Sequence, residues 1–254
     1  MILRYTSGGY LYISAEDDPR AIACAMVETG YDKEFCITEN FAPDFIARLM
    51  AAGFLVMSMG FDEPMDDGAG SGEKSGLIYI LTPKLHLERS IIFFEHFHEP
   101  RSARRLIPQY ELRTDREPGD FSLFDSVLER CATVHGEDWL TPPLRESFRQ
   151  IRANPGCPVR PIAFGLYREG RLAAGEFGVI AGKVYTSYSG YYDEDSAGTV
   201  QLILTGRYLR DAGFAFWDLG MPLEYKTRLG ARGVERGKFL ELIYKDDERQ
   251  PSLS

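Results

Sequence analysis

Apolar and polar positions along the first 60 residues follow two periods. Alternation over residues 2–5 and 10–13, broken by Ser7-Gly8-Gly9, predicts a β-hairpin. Asp18-Pro19 opens a helix, with proline at the first helical position, and Gly30 stops it. A strand over 35–38, a second helix over 43–52 ended by Gly53, and a strand over 54–59 follow. This β-α-β-α-β order predicts a small α/β lobe spanning residues 1–80.

Residues 61–76 carry five acids, four glycines and one lysine, which predicts a surface loop before a strand over 77–81. The loop contains GAGSGEKSG, close to a phosphate-cradling loop. Glu73, however, stands where the glycine before Lys74 is needed, and no helix pattern follows. Further on, the pattern predicts a strand over 109–113 and helices over 121–134 and 144–152, the last stopped by Asn154-Pro155-Gly156. Between the two helices Trp139 reads as a packing residue and Thr141, before Pro142, as a helix cap. Three successive antiparallel strands, over 162–165, 172–180 and 184–192, are separated in the last case by a tight turn at Ala181-Gly182. A helix over 196–211, a buried strand over 214–219, a short helix near Tyr225 and a last strand over 239–244 complete a second domain, residues 81–254. The expected class is therefore α+β.

Two features in this second domain carry chemistry. The buried strand delivers Asp218 at its carboxyl end beside Leu219 and Gly220, the place where ligands collect in open α/β sheets. A capping or salt-bridged aspartate is the alternative, and spacing alone leaves both open. The strand over 184–192 carries Tyr185, Tyr188, Tyr191 and Tyr192, either a packed aromatic stripe or the wall of a partly wet cleft; four buried hydroxyls would each need a partner. His86, His96 and His98 lack a fourth ligand at familiar spacing, so no metal is expected.

Composition narrows the class of partners. With 254 residues, 44% hydrophobic and 13% aromatic, the chain can bury a substantial core. Cys24, Cys36, Cys131 and Cys157 show no C-x-x-C pairing, which predicts free thiols in a reducing, cytoplasmic setting. No apolar run suggests a leader or a membrane span. A formal charge of −9 argues against gripping nucleic acid with the whole surface. Two local basic islands stand out: Lys226, Arg228, Arg232, Arg236 and Lys238 against Glu235, and Arg101, Arg104, Arg105, Arg113 and Arg116 against Glu99, Glu111 and Asp115. They are solvated faces or contacts for a short piece of RNA.

Arg171-Leu172-Ala173-Ala174-Gly175-Glu176-Phe177-Gly178-Val179, then Gly182 through Tyr192, then Phe216-Trp217-Asp218-Leu219-Gly220 with Leu229-Gly230-Ala231 beyond, form an ordered set. With Leu85-His86-Leu87-Glu88-Arg89-Ser90, and Cys131 followed by Trp139-Leu140-Thr141, this set resembles the leucyl/phenylalanyl-tRNA-protein transferase family over about residues 85–231. The resemblance implies an acetyltransferase-like (GNAT-like) mixed-sheet domain without cofactor. It also implies transfer of a leucine- or phenylalanine-like aminoacyl group from the acceptor end of an aminoacyl-tRNA to the N-terminal amine of a protein. It casts Asp218 as the group that attracts the amine and takes its proton, with Tyr188 and Tyr185 supplying hydroxyls. Ser189, Gly190, Tyr191, Tyr192, Leu202 and Gly220 become substrate contacts, and Lys84, Arg89, Arg101, Arg104, Arg105, Lys226, Arg228 and Arg232 RNA contacts. Residues 85–97 become a strand end turning into a helix. The sequence departs from the family at Tyr188 and Gly220, which stand where the family carries glutamate and glutamine, and it lacks the family's tryptophan motifs. An acyl-CoA-dependent acetyltransferase would instead need a glycine-rich pyrophosphate loop near residues 193–199, where the sequence is DEDSAGT. A binding relative without catalysis is the third reading.

Overall fold

The computed structural model describes residues 3–62, 77–115, 120–136 and 138–245. The chain begins with the antiparallel pair β1 (Arg4–Tyr5) and β2 (Leu11–Tyr12), followed by α1 (Pro19–Glu28) and α2 (Pro43–Ala51). A second antiparallel pair is β3 (Ser58–Asp62) with β4 (Leu77–Leu81). Next come β5 (Glu88–Ile92), α3 (Arg101–Arg104), β6 (Glu111–Thr114), α4 (Ser122–His135), α5 (Pro142–Ala153), β7 (Val159–Arg168), β8 (Arg171–Ala181) and β9 (Val184–Tyr192). The chain ends in α6 (Ala197–Asp211), β10 (Phe216–Asp218), α7 (Glu224–Arg228), β11 (Arg232–Glu235) and α8 (Arg236–Lys245).

The frame is a seven-stranded mixed sheet in the order β11-β5-β10-β9-β8-β7-β6, an α+β arrangement. All neighbours are antiparallel except β9 and β10, which the α6 crossover makes parallel. The sheet is apolar on both faces, as a sheet covered on both sides must be. On one face Phe177 and Val179 pack with Phe124 of α4 and Phe148 of α5, and this cluster runs on through Ile22 of α1 and Phe45 of α2. On the other, Phe164, Ile180, Tyr185 and Trp217 pack with Ile203 and Leu209 of α6.

Most elements stand where the pattern puts them. Asp18 caps α1 by accepting from the Arg20 amide at 3.2 Å, Pro19 opens the helix, and Gly30 with φ 63 ends it. Several expectations are corrected. Residues 239–244 are helix, not strand: Phe239, Leu240 and Ile243 recur at helical spacing and turn one face of α8 to the core. Residues 35–38 make only isolated bridges, because their partners, Ile37 with Tyr12, Phe35 with Lys84 and Thr38 with Leu81, come from separate segments. The stretch over 54–59 likewise starts as a bridge at Leu55 before β3. β6 begins after a 3-10 turn, Ile107–Gln109, and β5 is followed by one 3-10 turn, Phe94–His96, not a helix proper. Thr141 holds the N-cap position of α5, yet its hydroxyl lies 2.7 Å from Ser58 Oγ and caps nothing. The GAGSGEKSG segment lies outside the described residues. All four cysteines are free, and no described helix is long and apolar enough to cross a membrane.

Candidate active site

The cleft exists because two parallel strands differ in length. β10 pairs with β9 only through Phe216–Val184, Trp217–Tyr185 and Asp218–Thr186. β9 then runs on to Tyr192, while the segment after β10 turns away at Gly220, whose φ of +73 favours glycine. Residues 187–192 and 219–226 are thus left facing across a gap at the carboxyl end of β10. Two cavities open there, of about 540 and 420 Å³. They share Ser187, Tyr188, Ser189, Gly190, Leu219, Tyr225 and Lys226 as a common wall, so the cleft has one junction and two arms. The larger arm runs under α6, past Glu176, Tyr191, Tyr192, Gln201 and Leu202. The smaller reaches Leu55, Met57, Lys84, His86, His135, Trp139 and Gly220.

Asp218 does not project into this space. It is fully buried, at 0% exposure, and accepts from Arg89 Nε at 3.1 Å and Arg89 Nη2 at 2.5 Å, from Thr186 Oγ1 at 3.0 Å and from the Gly220 amide at 2.9 Å. Arg89, 1% exposed, lies over the Phe239 ring at 4.5 Å and borders neither cavity. Two expectations are corrected together. The aspartate is the salt-bridged alternative, a clamp on the 218–220 turn, and Arg89 is its counter-ion, too deep to meet RNA.

Two acids border the larger arm: the exposed Asp195 and the buried Glu176, which was not among the expected contacts. It is 5% exposed and lines the larger arm. Its Oε1 accepts from Tyr185 Oη and Ser187 Oγ, each at 2.9 Å, and Ser187 Oγ accepts from Trp217 Nε1 at 2.8 Å. Tyr185 reaches it by lying across Gly178, where a Cβ would meet the phenol oxygen at 2.6 Å. Gly190 is the cross-strand partner of Glu176 and puts no side chain over it. Burial pushes the Glu176 carboxyl up to about 7, against the pull of the Ser187 and Tyr185 hydrogen bonds and the Lys226 charge. A lone acid inside the apolar run Ala173–Ile180 was the available signal, because such an acid must be partnered or functional.

Lys226 is likewise misplaced by a surface reading. α7 turns it inward, 5% exposed, onto the wall common to both arms, where Nζ donates to Leu219 O at 2.5 Å and Met221 O at 2.8 Å. Burial brings it down to about 8; Arg89 adds to this, and Asp218 and Glu176 oppose it. An ammonium has three N–H groups, so one remains after the two carbonyls are served.

Tyr188 is the extra residue of a β-bulge: Ser187 pairs with Gly178 and Ser189 with Phe177. Its ring stacks on Phe177 at 6.1 Å, and its hydroxyl accepts from the Val56 amide at 3.1 Å and donates to Phe54 O at 3.4 Å. Burial raises its pKa, so the phenol is a fixed part of the wall rather than a proton carrier. Tyr185 is buried, Tyr191 is buried toward α4, and Tyr192 is 63% exposed at the mouth. Ser189, Gly190 and Leu202 line the larger arm.

Among the cations, Lys84 borders the smaller arm and pairs with Glu34 at 3.0 Å. Beside it, burial first and then Arg89 and Lys84 bring His86 down to about 4, so it is neutral. Arg101, Arg104 and Arg105 on and just after α3, Arg228 on α7 and Arg232 on β11 are exposed and border neither cavity. Arg104 lies 3.8 Å from Glu99 and Arg228 2.5 Å from Glu224.

The family described as Leucyl/phenylalanyl-tRNA protein transferase matches residues 91–244, which hold β9, α6, β10 and α7 and so most of the cleft. The chain belongs to this family. Leucyl/phenylalanyl-tRNA–protein transferases of Pseudomonas aeruginosa are 26% identical over 171 residues, covering 65% of this chain and 70% of theirs. The Pseudomonas paraeruginosa transferase is similar to the same extent. Among solved structures, the C-terminal domain of a putative lysylphosphatidylglycerol synthetase from Agrobacterium fabrum has a TM-score of 0.44 at 11% identity, over 96% of this chain and 87% of that one. FemX has a TM-score of 0.44 at 13% identity, over 89% and 78%.

Proposed function

We propose that the cleft transfers the aminoacyl group of an aminoacyl-tRNA to the N-terminal amine of a protein, on an acetyltransferase-like domain formed by residues 81–254. The preceding residues, 1–80, act as a smaller lobe that lends Leu55 and Met57 to the wall of the smaller arm. The observation that carries the reading is the junction of the two arms at Lys226, where two substrates can enter from different sides and meet beside a buried cation.

The chemistry is undemanding. The donor is an activated ester, and an α-amine with a pKa of about 7.7–8.0 is partly neutral at cellular pH. The amine nitrogen bonds to the ester carbon, the carbon–oxygen bond to the ribose breaks, and the proton leaving nitrogen ends on the departing ribose oxygen. The third N–H of Lys226 meets the carbonyl oxygen as charge builds on it, and two fixed carbonyls hold the ammonium for that purpose. Trp139 and the neutral His86 make the smaller arm the place for the terminal nucleotide, with Lys84 at its edge and the exposed Arg101, Arg104, Arg105, Arg228 and Arg232 available to the rest of the acceptor end. Positioning does most of the work. A tRNA substrate in turn implies a cytoplasmic site of action and no membrane partner.

An acyl-CoA reading is disfavoured by the acids before α6. Asp195 lines the larger arm, and Ser196, at φ 68, replaces a phosphate cradle at the helix start. The test is to incubate the protein with labelled aminoacyl-tRNAs, or labelled acetyl-CoA, and peptides of varied first residue. Label should move from tRNA to the peptide N-terminus; label moving only from acetyl-CoA, or none moving, refutes the reading.

A further inference from the structure

The open edge of β9 holds an imidazole that the transfer chemistry above does not use. The Asp193 amide donates to Ala173 O at 2.9 Å, and these two residues continue the register of β8 with β9. Bonded and non-bonded pairs alternate along an antiparallel ladder, so Tyr191–Gly175 is a bonded pair and Gly190–Glu176 is not. The Gly190 carbonyl therefore points away from β8, into the gap beyond the end of β10. His135 meets it there, with Nε2 at 2.7 Å. A carbonyl oxygen only accepts, so Nε2 carries the proton and the neutral ring keeps a lone pair on Nδ1. That Nδ1 makes no hydrogen bond among the described residues. The ring borders the smaller arm and, through Gly190, touches the wall common to both arms. Its stem is fixed: His135 ends α4, Gly136 at φ 77 turns the chain behind it, and Cys131, one turn earlier, is packed in the core at 1% exposure.

Every other titratable group bordering the smaller arm is committed or a poor base. Lys84 pairs with Glu34 at 3.0 Å. His86 lies with Nδ1 3.2 Å from Glu34 Oε1, and burial brings it down to about 4, too weak a base to hold a proton taken from an amine. The Tyr188 hydroxyl is bonded to Val56 N and Phe54 O, and burial raises the Tyr225 phenol. Lys226 serves as a cation on Leu219 O and Met221 O.

We infer that His135 is the proton-transfer residue of the reaction. Its Nδ1 takes the proton from the attacking amine as nitrogen bonds to the ester carbon, and the imidazolium gives that proton to the ribose oxygen as the carbon–oxygen bond breaks. The ring ends neutral, as it began. The inference rests on the aminoacyl-transfer reading and names the base which that reading leaves open. The ribose of the terminal nucleotide lies on the same side of the gap, because the smaller arm holds that nucleotide. Lys226 faces the ester from the segment over 219–226 and His135 from the edge of β9, so cation and base approach the reacting carbon from opposite walls. A positioned general base of this kind contributes about 10²–10⁴ in rate.

The test measures transfer from labelled aminoacyl-tRNA to a peptide N-terminus by the parent, His135→Gln and His135→Ala, each confirmed folded by its melting curve; the site is exposed, so all three should melt together. His135→Gln keeps a donor for Gly190 O and removes the base, so kcat should fall by about 10²–10⁴ while KM for aminoacyl-tRNA stays within about threefold. Added 1,2,4-triazole, imidazole and 4-methylimidazole should restore transfer to His135→Ala, more strongly in that order of rising basicity. A His135→Gln kcat within about threefold of the parent overturns the inference, and so does a loss confined to KM, which makes His135 a binding contact. Rescue that ignores basicity, or no rescue, overturns it as well and leaves the ring a spacer on the edge of β9. In all of these outcomes the parent still transfers; a parent that moves no label refutes transfer itself, and the inference with it.

Discussion

Removing the Asp218 carboxylate tests whether it is a clamp or a reagent. In Asp218→Ala the fully buried Arg89 loses both of its bonds to the carboxylate, and its Nη1 already lacks a hydrogen-bond partner among the described residues. A buried charge stripped of its partner costs about 3–5 kcal/mol. For a chain of this size, with each kcal/mol worth about 2–4 °C, that lowers the melting temperature by roughly 6–20 °C. Thr186 and the Gly220 amide are left unserved as well, so the cost should fall toward the upper end of that range. Replacing both charges, as Arg89→Met with Asp218→Leu, removes the stranded ion and should return stability to within about 2 kcal/mol of the parent. Urea unfolding of the parent, Arg89→Met, Asp218→Leu and the double variant gives the coupling energy directly. A cost below about 1 kcal/mol for Asp218→Ala would show that the pair is not the clamp described. A double variant as stable as the parent but devoid of transfer activity would return Asp218 to the chemistry.

The remaining expectations concern the cleft. Glu176 has a folded pKa of about 7 against an ordinary 4.5, so the folded protein holds a proton the unfolded chain has released between those values, and stability falls as pH rises from about 4.5 to 7. Glu176→Gln should therefore melt with the parent near pH 4 yet be more stable at pH 8, by up to about 3 kcal/mol; equal melting at pH 8 refutes the burial cost. His86 behaves oppositely: its folded pKa of about 4 lies below the ordinary 6.5, so the stability it contributes is complete above about 6.5 and is lost as pH falls toward 4. His86→Asn should flatten the acid side of the stability profile, and an unchanged acid limb refutes this. Gly178→Ala should prevent folding or cost several kcal/mol, since a Cβ at that site meets Thr186 O at 2.3 Å; soluble protein melting like the parent would contradict the packing described.

The sheet and its crossover were legible because their signals are local. Alternation over 172–180 and 184–192, the turn between them and the helix that follows reappear as β8, β9 and α6 within a residue or two. The site was less legible because its pairings span long separations. Nothing near Asp218 announces Arg89, 129 residues earlier, and without that partner spacing alone could not choose between a cleft-facing and a salt-bridged acid. Lys226 looked like part of a basic run until α7 set its orientation, and Glu176 looked incidental until Gly190 was placed opposite it. α8 was misread because a short apolar run fits a strand as well as a helix, and only its contacts with the core decide.

Single-turnover transfer from labelled aminoacyl-tRNA to a peptide N-terminus, compared between the parent and Lys226→Met from pH 6 to 9.5, bears most directly on the claim that a buried ammonium at the junction drives the reaction. Because the lysine's pKa is about 8, the parent rate should decline above that pH as the cation is lost, and the variant should be slower by about 10²–10³ without that decline. A variant that transfers at the parent rate, with the same pH profile, would contradict the account.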